Sequence, residues 1–114
     1  MMIRNRYGRF SSEQIAEIKK SLRKSIYFLL LCVDPKTKHE YENIDINKTF
    51  DNVLFKISGL NNLLFYPPEI VTVMSLLNRA NMEYNSSEMD FTVYRKLILD
   101  AGAEVLKIRE SDNA

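Results

Sequence analysis

Three groups of residues in this 114-residue chain are of types that can do chemistry: the trio His39, Glu40 and Glu42, the lone Cys32, and a crowd of cations near the start. A histidine beside two carboxylates suits a metal ion or acid–base work. Yet the chain holds one histidine, and a zinc site needs about four converging ligands, so the trio reads as a solvated loop. Cys32 lies in the greasiest run of the chain, S-I-Y-F-L-L-L-C-V from Ser25 to Val33. A single cysteine forms no internal disulfide, and in such company it reads as a reduced core thiol rather than a nucleophile.

The cations are Arg4, Arg6 and Arg9, alternating with Tyr7 and Phe10, followed by Lys19, Lys20, Arg23 and Lys24. This set could neutralise phosphates while the rings stack on bases. Against that stands an ordinary solvated terminus, with Phe10 stapling the first helix and the lysines on its outer face. Ala101-Gly102-Ala103 is a small-residue patch where another backbone can come close, but one glycine in a helical run is no phosphate cradle. No acid, base or nucleophile has a partner at a workable spacing. The expectation is a protein without enzymatic activity, cofactor or metal, acting by recognition.

The elements that must carry these residues follow from composition and periodicity. The length suits a single domain, and the 46% hydrophobic content suits a packed core. Three glycines and three prolines are few for an all-β chain. The net charge of +1 hides an uneven spread. Residues 1–24 carry seven Lys or Arg against two Glu, 34–48 carry three against four acids, and 49–114 carry six against nine. The run at 25–33 is far shorter than the ~20 residues of a membrane span, and no signal peptide is recognised. A cytoplasmic protein is expected.

Ser11-Ser12-Glu13-Gln14 forms a capping box that should open a first helix. Ile15, Ile18, Leu22, Ile26, Leu29, Leu30 and Val33 continue it to Val33 or Asp34, where Pro35 ends it. Tyr27, Phe28, Leu31 and Cys32 widen the stripe, so this half should be surrounded. A second helix is predicted from Thr49 to about Leu64 through Phe50, Val53, Leu54, Ile57 and Leu60, its Gly59 tolerable if a neighbour passes close. Phe65 and Tyr66 add bulk before Pro67-Pro68 breaks it, and Pro68 suits the first position of a third helix reaching Tyr84. Asp90 caps a fourth, with Met89 and Tyr94 as a staple, running to Lys107 or Arg109. The result is an all-α antiparallel four-helix bundle over 12–109, with a flexible basic arm at 1–11 and a frayed tail at 110–114. The alternative is α+β, with a hairpin at 27–46 turning at Asp34-Pro35.

The order of features resembles the enterocin A type of bacteriocin immunity proteins. The likeness lies in a first helix ending at Asp34-Pro35-Lys36, a polar link, then T-F-D-N-V-L-F-K-I at 49–57, L-L-N-R-A-N at 76–81 and D-F-T-V-Y-R-K-L-I at 90–98, and covers residues 12–108. The resemblance implies an antiparallel four-helix bundle without catalysis, acting near the inner membrane face against a bacteriocin-engaged sugar permease. The acidic E-S-D-N-A ending departs from the longer, often basic ending of that group.

The residues alone leave two other readings open: a nucleic-acid-binding accessory using the seven cations above, and a small inhibitor or adaptor from a phage or other mobile element. For recognition of a protein partner the candidates are the turn Asn85 to Glu88 and the outer faces of the third and fourth helices, with Arg79, Glu83, Glu88, Arg95 and Lys96.

Overall fold

Ser11 begins the first helix as its neighbours require: its Oγ accepts from the Gln14 amide at 3.1 Å, and its own amide donates to Gln14 Oε1 at 2.8 Å. The computed structural model describes residues 2–5, 8–64 and 66–109, the strand residues 2–5 and 8–10 as backbone only. Helix α1 (Ser12–Leu31) buries Ile15, Leu22, Ile26 and Leu29 on one stripe. Its end is stitched locally: the Asp34 amide donates to Leu30 O at 2.9 Å, and Thr37 Oγ1 to Leu31 O at 2.7 Å. Residues 27–31 are therefore helical, and the hairpin alternative for 27–46 does not form. A 3-10 turn, Lys38–Tyr41, lies within the connection instead.

Helix α2 (Ile46–Leu63) starts three residues earlier than the stripe alone predicts. The reason is Asp45, whose Oδ1 accepts from the Lys48 amide at 3.1 Å and makes a full N-cap. Helix α3 (Pro68–Tyr84) has proline at its first position, where no amide is missed. Helix α4 (Phe91–Val105) is capped by Asp90, whose Oδ1 accepts from the Thr92 amide at 2.9 Å. It stops short of the expected Lys107, and Leu106 to Ile108 close it in tighter turns. The opening segment, expected as a flexible basic arm at 1–11, carries secondary structure. It holds two short antiparallel strands, β1 (Met2–Asn5) and β2 (Gly8–Ser11), with Ile3 opposite Phe10 and Arg4 opposite Arg9. They lean on α1. Arg6, Phe65 and the tail 110–114 lie outside the described residues.

The four helices form a bundle in which α3 meets α4 most extensively, α1 packs on α4 and α2 on α3, while α1 and α2 have the slightest contact of these neighbouring pairs. Hydrogen bonds from two side chains establish that α1 and α4 are antiparallel. Tyr94, near the start of α4, donates its hydroxyl to Leu29 O near the end of α1 at 2.7 Å. Lys19, in the first half of α1, donates to Leu106 O and Ile108 O beyond the end of α4 at 2.9 and 2.8 Å. The Asn85 amide nitrogen, just past α3, likewise reaches Asn47 Oδ1 at the start of α2 at 2.8 Å.

Tyr94 is the hub of one end of the core. It is fully buried, and the rings of Phe50, Tyr84 and Phe91 surround it at centroid distances of 6.3 to 6.4 Å, bringing three helices together. Burial holds its phenol well above the usual range, with Cys32 and Tyr84 adding to the effect. Cys32 is a buried free thiol, and its own burial pushes it up. The greasy run is not wholly enclosed: Tyr27, Phe28 and Leu30 are half-buried and Leu31 is exposed.

Candidate protein-binding face

Two of the expected phosphate-binding cations are used inside the fold. Lys19 is 5% exposed and neutralises the carbonyl-rich end of α4, a favourable place for a cation beside the helix dipole. Its place on the outer face is thus corrected. Arg23 donates Nε–H to Gly102 O at 3.2 Å and Nη2–H to Tyr27 Oη at 3.0 Å, its guanidinium 5.3 Å from the Tyr27 ring centroid. Gly102 O is available because the Leu106 amide turns to Ala103 O. The small patch at 101–103 therefore receives a tyrosine ring and an arginine rather than a backbone. Lys20 and Lys24 remain exposed, and Arg4 and Arg9 are known by strand position only.

His39, Glu40 and Glu42 are all exposed in the connection. Among the described residues no three His, Cys, Asp or Glu side chains are gathered about a common point. No helix among them is long and apolar enough to cross a membrane.

The α3–α4 pair carries the feature that stands out. Arg79, Met82, Glu83 and Ser86 from α3 and its following turn face Val93 and Leu97 of α4 across an open groove of about 320 Å³. Leu97 is buried at its floor, whereas Met82 is 73% and Val93 42% exposed. Glu83 is fixed by accepting from the Asp90 amide at 3.2 Å, which ties the groove wall to the cap of α4. Arg79 is exposed. An apolar centre between a cation and an anion suits a protein partner better than a small molecule, because the groove is too open to enclose one.

Comparison with known proteins adds no relative. The chain matches no family model, no curated protein and no solved structure.

Of the five residues expected to bind a partner, Arg79 and Glu83 line the groove. Lys96 pairs with Asp100 at 2.8 Å on the exposed surface of α4. Arg95 is exposed on α4 and does not line the groove. Glu88 is exposed in the turn, its amide donating to Ser86 Oγ at 3.3 Å. Met82 and Val93 were missed, although both are apolar residues off the core stripes of their helices, the signal that could have found them.

Proposed function

We propose that this chain is a non-enzymatic binding protein whose α3–α4 groove docks a protein partner, and that immunity against a pediocin-like bacteriocin, exercised inside the cell at a membrane-associated target, is its most concrete form. The observation that carries the reading is the exposure of Met82 and Val93 between Arg79 and Glu83 over a buried Leu97. Such a cluster has the composition of an interface centre with a charged rim. The resemblance of residues 12–108 supplies the immunity role, and the groove supplies a surface for it. A nucleic-acid role is weakened, since Lys19 and Arg23 spend their donors on backbone carbonyls and Tyr27. An inhibitor of some other host protein would use the same surface.

Expression in a bacteriocin-sensitive strain should protect it against a cognate member of a pediocin-like panel. Met82→Glu with Val93→Glu should abolish protection, and Arg79→Glu should weaken it, while melting temperatures stay near the parent's. Protection against no member of the panel overturns the immunity role. Full protection by the folded double variant overturns the groove.

A further inference from the structure

A second groove, between α1 and α2, differs in chemistry from the first. Lys24 and Ser25 of α1 and Thr49, Asn52 and Lys56 of α2 surround a floor of Phe28 and Val53, with a volume of about 390 Å³. Val53 is buried and Phe28 half-buried, the latter held edge-on by Tyr41 at a centroid distance of 5.2 Å. Both lysines are exposed, and among the described residues no carboxylate lines the groove and neither ammonium has an ion-pair partner. This is also where the bundle is least tightly closed. The site is an apolar recess flanked by two cations.

We infer that this groove receives an acidic amphipathic helix of a partner protein, a bulky apolar side chain entering between Lys24 and Lys56 while carboxylates one turn to either side meet the two ammoniums. Charge complementarity selects the sign of the partner, and concavity selects its kind. A membrane surface meets protruding apolar side chains and cannot reach a recessed floor. A phosphate backbone would use the lysines and leave the apolar floor unfilled. A small anionic amphiphile would stay mostly exposed in so open a groove, whereas such ligands are normally buried by 70–90%. A helix laid in the groove brings its own surface to cover the floor. This surface is distinct from the α3–α4 groove, and its test does not depend on the immunity role.

The probe is a synthetic helical peptide with leucine and phenylalanine anchors flanked by glutamates, beside a copy with lysine at every glutamate. Titrated into the isotopically labelled full chain, the acidic peptide should shift the amide resonances of Ser25, Phe28, Asn52 and Val53, and the basic copy should not. Lys24→Gln with Lys56→Gln should weaken binding about tenfold, and Lys24→Glu with Lys56→Glu should reverse the preference. These are surface positions, so both variants should melt like the parent. Failure of the acidic peptide to shift these resonances overturns the inference. So does unchanged preference in the charge-reversed variant, or a response to phosphatidylglycerol vesicles or a single-stranded oligonucleotide that equals the response to the peptide.

Discussion

Gly59 and Gly102 both sit inside helices, yet their surroundings are opposite. A methyl group added at Gly59 meets nothing within 4 Å, so the close neighbour that would favour a glycine there is absent. Gly59→Ala should therefore stabilise the protein by about 0.5–1 kcal/mol, the usual helix-interior difference, and raise the urea midpoint. At Gly102 the same methyl would overlap the Tyr27 ring. Gly102→Ala should cost about 1–3 kcal/mol, and Tyr27→Ala in the same chain should recover part of that, a non-additivity read in a double-mutant cycle. Lys19 makes a third residue-scale case. Lys19→Met keeps the stem but leaves the carbonyls of Leu106 and Ile108 without this donor, so a loss of about 1–3 kcal/mol is expected on thermal melting.

The helices owe their limits to caps, and the caps are local. Asp45→Ala removes the acceptor for the Lys48 amide and should cost about 1 kcal/mol, with fraying visible as faster amide exchange at Asn47 and Lys48. The far ends of α1 and α4 depend on each other instead. Leu29 O loses its in-helix donor when the Val33 amide turns to Leu30 O, and the Tyr94 hydroxyl of α4 replaces it. Gly102 O, Leu106 O and Ile108 O are served in return by Arg23 and Lys19 of α1. Each helix completes the other's carbonyl end, so loosening one end of the pair should expose the other to exchange.

For the molecule as a whole, the buried Tyr94 phenol and Cys32 thiol predict sensitivity to alkali. Both are held neutral in the fold above their usual ranges, and below those ranges neither state is ionised, so stability there is unaffected. As pH rises through the usual ranges the unfolded chain gives up protons that the folded chain keeps. Stability must then fall, by up to about 1.4 kcal/mol per pH unit for each group. Urea midpoints from about pH 8 to about pH 11 should decline, and Tyr94→Phe should flatten the decline at its upper end while lowering stability at neutral pH. A parent midpoint that stays level over that range would contradict the burial of both groups. The same core reasoning makes Leu29→Asp, at a fully buried position, severely destabilising, whereas Leu30 beside it is only half-buried and should tolerate more.

What the amino-acid order determines by itself is whatever depends on neighbours within a turn or two. The capping box at Ser11, the cap at Asp90, proline at the head of α3 and the buried stripes were all readable, because these hydrogen bonds and periodicities close within the segment. The Asp45 cap is equally local, but the apolar stripe begins only at Phe50, so periodicity alone starts the helix at Thr49. Lys19 falls at the spacing of Ile15, Leu22, Ile26 and Leu29, an inward-facing position, whereas its charge favours the outer face expected for it from the sequence. Only the tertiary structure could decide that case, since the acceptors that make burial tolerable lie 87 and 89 residues away. The grooves are of the same kind. Periodicity states which side of a helix is apolar, not which helix stands beside it. The meeting of Met82 with Val93, or of Lys24 with Lys56, exists only once four amphipathic helices have chosen their neighbours.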